Sequence, residues 1–161
     1  MKLVICEKPS VGAAVAAALG VTGRKDGYIE GNGYLISWCI GHLVQLSEAA
    51  AYGEQYKKWS YDSLPILPQE WQYTVAADKG KQFKILKDLM QRSDVSEVVN
   101  ACDAGREGEL IFRFVYHQAG CKKPFTRLWI SSMENEAIRS GFDNLKDGRE
   151  YDALYHSALC R

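Results

Sequence analysis

Several features that would settle a protein's class outright are missing from this sequence. No Cys-x-x-Cys pair occurs, and the five cysteines (Cys6, Cys39, Cys102, Cys121 and Cys160) are odd in number and widely spaced. This excludes a disulfide framework and a zinc ribbon, and reads as free thiols in a reducing compartment. No run of about 18 apolar residues occurs, so nothing is expected to span a membrane. The N-terminus turns acidic at Glu7 and carries no signal-peptide core, which gives a cytoplasmic expectation. Neither charge is in excess: 20 Lys+Arg balance 20 Asp+Glu, so contact with a nucleic acid would need a local basic patch. Repeats and low-complexity segments are also absent. What is present is ample core material, 47% apolar residues in a chain of 161, the size of one compact domain or of one with the start of another.

Lys2–Cys6 is a short apolar run whose length and following proline favour a buried strand. Pro9 suits a first helical turn, and Val11, Val15, Ala18 and Leu19 keep helical spacing until Gly20 stops them. Gly31-Asn32-Gly33 separates Tyr28–Glu30 from Tyr34–Ile40 as a hairpin turn would. From Gly41 to Glu70 periodicity lapses into a long, aromatic-rich inserted connection. Gln72–Ala76 then reads as a strand, and Lys79–Gln91 as a helix presenting Phe83, Leu86, Leu89 and Met90. Glu97–Cys102 reads as a buried strand, and Arg106–Ala119 as a helix turning Leu110, Ile111, Phe114 and Val115 inward. Arg127–Ile130 is strand-like, and Ser131 with Glu134 can form a capping box for a helix reaching Leu145. The alternation implies an α/β domain with a largely parallel sheet flanked by helices. Tyr151, Leu154, Tyr155, Ala158 and Leu159 form a last amphipathic stripe that stops uncapped at Arg161, so a longer parent protein is expected.

Two charged clusters follow expected strands: Cys6-Glu7-Lys8-Pro9-Ser10 and Asp103-Ala104-Gly105-Arg106-Glu107-Gly108-Glu109. In parallel α/β sheets, ligands bind outside the carboxyl ends of the strands. If the two strands are neighbours, Glu7, Asp103 and Glu107 share one edge with Lys8 and Arg106. Carboxylates brought together repel unless a cation or proton lies between them. Hard oxygen donors suit Mg²⁺, and the adjacent Lys and Arg suit a phosphate. A plainer reading stays open on the residues alone: acidic side chains at helix starts favour the helix dipole and are commonly just solvated.

These residues also carry a resemblance. The Leu3–Ser10 opening, Gly41-His42-Leu43, Asp103-x-x-Arg106-Glu107-Gly108-Glu109 and Trp129-Ile130-Ser131-Ser132-Met133 resemble the Toprim domain of type IA DNA topoisomerases, in particular the bacterial topoisomerase III branch. The resemblance runs in order along the whole chain. It implies a Rossmann-like Toprim domain over residues 1–146, with 147–161 beginning a following helical segment. It implies an ATP-independent isomerase that cuts one DNA strand through a 5′-phosphotyrosyl link, passes another strand and reseals. Carried over, Glu7 serves proton transfer at the leaving 3′ oxygen and Lys8 holds the scissile phosphate, with Arg106 as a further phosphate contact. Asp103 and Glu107 are the implied ligands of Mg²⁺, with Mn²⁺ as substitute.

The family motif often reads Asp-x-Asp-x-Glu, whereas Gly105 stands at the middle position here, so weaker or more water-mediated metal binding is expected. The nine tyrosines are not read as the nucleophile, since the implied nucleophile domain lies outside this chain, and Tyr151 and Tyr155 are read as core. His42 is read as a structural, hydrogen-bonded histidine; Lys79, Lys81, Lys84 and Lys87 as a solvated face; and Trp38, Trp59, Trp71 and Trp129 as core and loop packing. Two rivals share the carboxylate cluster: another Toprim enzyme, a primase or nuclease, and a non-catalytic Toprim module that binds a nucleic acid or partner.

Overall fold

The computed structural model describes residues 1–160. Nine strands and five helices alternate: β1 Lys2–Cys6, α1 Pro9–Leu19, β2 Gly23–Lys25, β3 Tyr28–Gly31, β4 Tyr34–Trp38, β5 Val44–Leu46, β6 Tyr73–Val75, α2 Gly80–Gln91, β7 Glu97–Ala101, α3 Arg106–Gln118, β8 Phe125–Arg127, α4 Asn135–Asp143, β9 Lys146–Asp147 and α5 Asp152–Leu159. Seven strands form one sheet in the order β2-β3-β4-β1-β7-β8-β9. The central four, β4-β1-β7-β8, are parallel, and the edges are antiparallel.

Alternation along β1 explains the layers. Leu3 and Ile5 point to one core with Leu86, Met90, Ile111, Phe112 and Val115 of α2 and α3. Val4 and Cys6 point to the other, with Val15 and Ala18 of α1 and Ile138 of α4. A strand buried on both faces needs the continuous apolar run seen in Leu3–Cys6. The hairpin between β3 and β4 turns on Asn32-Gly33, both at positive φ (47° and 81°), the pairing a tight two-residue turn requires. The Asn32 amide also donates to the carbonyl of Gly20 at 2.8 Å, just past the C-terminus of α1.

Several expectations shift. The strand expected at Arg127–Ile130 is β8, Phe125–Arg127. No capping box forms at Ser131 and Glu134: Ser132 Oγ accepts from the Glu134 amide instead, and α4 covers only Asn135–Asp143. On α3 the buried face runs through Glu109, Phe112, Arg113 and Tyr116, leaving Leu110 and Phe114 half-buried. The apolar spacing misled because two charged residues take core positions there. On α2 the buried Gln82 joins Leu86, Leu89 and Met90, while Phe83 is only half-buried. The long connection contains β5, which pairs with β6 as a separate two-stranded sheet. Three of the four tryptophans are exposed rather than core, Trp59 most of all at 82%. Tyr151 and Tyr155 are half-buried, over the guanidinium groups of Arg127 and Arg113 respectively. All five cysteines are unpaired.

Candidate active site

The parallel register sets the site. Cys6, the last residue of β1, lies level with Trp38 of β4 on one side and Ala101 of β7 on the other. The segments leaving these three strands therefore emerge together at one edge: Glu7-Lys8, Cys39–His42 and Cys102–Glu107. The Cys39 amide donates to the Cys6 carbonyl at 2.8 Å, and the Gly41 amide to the Glu7 carbonyl at 3.4 Å, fastening the first two segments. The sequence-based expectation of one shared edge is met in this topology.

Each expected residue has a definite place. Glu7 is largely covered, with 12% of its side chain exposed, while Lys8 stands out at 57% and brings its Nζ to 3.6 Å from Glu7 Oε1. Lys8 precedes α1, whose Pro9 takes the first helical position, where a missing N–H costs nothing. Asp103 and Arg106 are exposed, Arg106 opening α3. Glu107 Oε1 is hydrogen-bonded by Nε2 of His42, so the structural histidine reaches into the acidic cluster itself. Lys79 in turn donates from Nζ to the His42 carbonyl at 3.1 Å; it is not part of the solvated face that Lys81, Lys84 and Lys87 do form.

Glu109 is the clearest departure from the solvated reading. It is fully buried and faces the core, where its Oε1 accepts from Arg113 at 2.8 Å and its Oε2 from Asn100 at 3.0 Å. Arg127, likewise fully buried, has its Nε 3.0 Å from Glu109 Oε2, close enough to pair by charge but misaligned for a hydrogen bond. Its other nitrogens donate to the carbonyls of Cys102 at 2.6 Å, Leu128 at 2.9 Å and Asp103 at 2.7 Å. Burial lowers the Arg127 pKa and the Glu109 carboxylate opposes that shift. Arg127 thus clamps the backbone of the loop that presents Asp103. No motif pointed to it; the signal was a lone arginine inside an otherwise apolar, strand-like run.

Two glycines shape the same loop. A Cβ on Gly108 would stand 2.1 Å from the Asp103 carbonyl oxygen, so this helix position must be glycine for α3 to pack against the loop. Gly105 is different: its φ of 169° is ordinary extended backbone and a Cβ there would meet nothing within 4 Å. Cys6 and Cys102 lie directly beneath. Burial is the main cause that raises the Cys6 pKa; for Cys102 the leading cause is its hydrogen bond with Cys39, with burial next. Both stay as thiols and are not nucleophiles.

Among the described residues, no three of His, Cys, Asp or Glu converge as a ready metal cage. The expected convergence of Glu7, Asp103 and Glu107 thus reduces to a shared edge, with Glu107 engaged by His42. Asp103 and Glu107 are both exposed at this edge.

A doubly covered, largely parallel sheet with acidic and basic groups at its carboxyl edge defines an α/β domain of Rossmann-like layout. The chain belongs to the Toprim domain family, whose pattern matches residues 2–133. It is 48% identical over 160 residues to DNA topoisomerase 3 of Shouchella clausii, covering 99% of this chain and 22% of that protein. It is 44% identical over 159 residues to DNA topoisomerase 3 of Bacillus subtilis, again covering 99% of this chain and 22% of the relative. The fold is similar to that of full-length topoisomerase I from Thermotoga maritima, with a TM-score of 0.64 and 20% identity over 99% of this chain and 23% of that one. The chain therefore spans about a fifth of the length of the relatives it matches. No helix among the described residues is long and apolar enough to cross a membrane.

Proposed function

We propose that this chain is the metal- and phosphate-handling unit of a type IA, topoisomerase 3-like isomerase acting on a single-stranded segment of DNA. The observation that carries this reading is the placement of Glu7-Lys8 and Asp103–Glu107 just beyond the carboxyl ends of adjacent parallel strands, at one sheet edge. The identity to proteins named DNA topoisomerase 3 supports the choice among Toprim enzymes over a primase or a nuclease.

In this reading a tyrosine from the remainder of the longer protein attacks the scissile phosphorus. A 5′-phosphotyrosyl bond forms as the bond to the 3′ oxygen breaks, and resealing is the reverse, so no ATP is consumed. Glu7, with 12% of its side chain exposed, gives its proton to the leaving 3′ oxygen. A positioned acid of this kind contributes about 10²–10⁴-fold. Lys8, exposed beside it, faces the phosphate oxygens and opposes the charge that grows in the transition state. Arg106 adds a second positive group at the start of α3. Asp103 and Glu107 hold Mg²⁺ or Mn²⁺, which when bound supplies positive charge for orienting the phosphodiester.

The functional domain ends near residue 146, and 147–161 begin the following helical segment, docked where Arg113 donates to the Gly148 carbonyl and the Asp152 carboxylate. The unpaired cysteines fit a cytoplasmic, bacterial setting. Gly105 favours a second reading, a Toprim module that binds nucleic acid without acting on it.

A Mg²⁺ titration of this chain followed by amide NMR separates the two. Saturable shifts at Glu7, Asp103 and Glu107, lost in Asp103→Ala, support the enzyme. In the longer protein, Glu7→Ala and Lys8→Ala should abolish strand cleavage with folding intact; undiminished cleavage by both would overturn the assigned roles.

A further inference from the structure

A cavity of about 310 Å³ opens between α1 and the β2–β3 edge, lined by Pro9, Ala13, Arg24, Lys25, Tyr28 and Trp38. It adjoins the candidate active site: Pro9 follows Lys8 directly, and Trp38 ends β4 level with Cys6. Its chemistry is of two kinds. Arg24 and Lys25 are exposed on β2, and among the described residues neither has an acidic partner. The neighbouring Asp26 is taken by Lys81 at 2.8 Å, and Glu30, further along the hairpin, by Arg92 at 3.1 Å. Trp38 and Tyr28 supply aromatic surface.

The Trp38 ring is held in place. It lies against Gly12, where a Cβ would stand 2.7 Å from its Cε3 atom. Its carbonyl accepts from the Gln82 amide at 2.9 Å, which also reaches the Gly27 carbonyl at 3.2 Å and Ser37 Oγ at 3.2 Å. A fixed aromatic ring lining the same cavity as unpaired cations is what a single-stranded nucleotide needs: a π-face for the base and positive charge for the backbone. A duplex keeps its bases stacked within and offers no free face to such a cavity.

We propose that this cavity is a nucleotide subsite for single-stranded DNA. One unpaired base enters against Trp38 and Tyr28, and its backbone phosphates meet Arg24 and Lys25, next to the strand segment held at Lys8. The proposal rests on the reading of the sheet edge as a DNA-cleaving site and adds where the flanking strand runs.

The test is a titration of this chain with a short oligothymidylate, followed by amide and indole NMR and repeated across a salt series. The expected result is a set of saturable shifts at Arg24, Lys25 and the Trp38 indole as well as at Glu7–Pro9. Arg24→Gln combined with Lys25→Gln should weaken binding on the order of tenfold and flatten the salt dependence by about 0.7 for each contact removed. Ala13→Gln changes no charge but fills the cavity from the exposed face of α1, and should weaken binding severalfold. Binding confined to Glu7–Pro9 and Asp103–Glu107, or Ala13→Gln without effect, overturns the subsite and leaves the DNA reading standing. Equal affinity for a duplex of the same length overturns the unpaired base. No shifts anywhere overturn the subsite and count against the DNA reading as well.

Discussion

Arg127 Nε and Glu109 Oε2 stand 3.0 Å apart with both side chains fully buried, and the arginine spends its remaining donors on the carbonyls of Cys102, Asp103 and Leu128. This pair ties the core between α3 and β8 to the loop that presents Asp103. Removing Arg127 leaves Glu109 paired with Arg113 alone and strips the Cys102, Asp103 and Leu128 carbonyls of a donor, and a buried polar group left unsatisfied costs about 1–3 kcal/mol. Arg127→Ala should therefore lower the urea midpoint of unfolding sharply. An unchanged midpoint would mean that water replaces the guanidinium at no cost.

Gly108→Ala should damage the site more than the helix. Alanine favours helices, yet its Cβ would clash with backbone at Asp103 rather than with a movable side chain. Overpacking of this kind costs about 1–3 kcal/mol. Heteronuclear NMR should show the largest changes at Asp103 and Gly105, together with weaker Mg²⁺ binding. A fully native spectrum would refute the close approach.

Gly105→Asp should behave in the opposite way. The position is open and its backbone ordinary, so folding should survive with the midpoint unchanged. An added carboxylate beside Asp103 raises the ligand charge and should tighten Mg²⁺ severalfold by calorimetry. If affinity does not rise, the cation is not held at this edge.

His117 links stability to pH. Burial chiefly, with the Arg113 charge second, lowers its pKa below 6.5, while Asp152 pulls it back up. The folded state therefore binds this proton less readily than the unfolded chain. Stability from His117 is fully present above the unfolded value near 6.5 and is lost as pH falls through that value towards the folded one. His117→Gln should remove this part of the acid slope in unfolding curves. An imidazole titrating at or above 6.5 by NMR would contradict it.

The strand–helix alternation of the core and the two charged clusters were legible because each rests on local signals: an apolar run, a proline, a glycine, then acidic and basic residues. What escaped the sequence was the pairing of charges across the fold. Glu109 looks like one more solvated helix-start carboxylate, and only the β8 arginine, distant in the chain, makes it a core residue. Helical spacing placed Ile111 and Val115 of α3 inward correctly, but it also turned in Leu110 and Phe114, which are half-buried while Glu109 and Arg113 take interior places. His42 was visible in its motif, but its bond to Glu107 depends on β4, β1 and β7 lying side by side with their carboxyl ends at one edge. The exposed tryptophans misled for a related reason: aromatic content alone does not say which side of a long connection faces water.

The clamp by Arg127 has a consequence in the order of synthesis. A ribosome delivers Glu7 early, Asp103 much later, and the arginine that fixes the Asp103 loop later still. Parallel neighbours far apart in sequence must also close long loops before any contact rewards them. The charged sheet edge is thus assembled only once β8 has emerged and docked. A partly made chain holds the acidic and basic groups but not their arrangement.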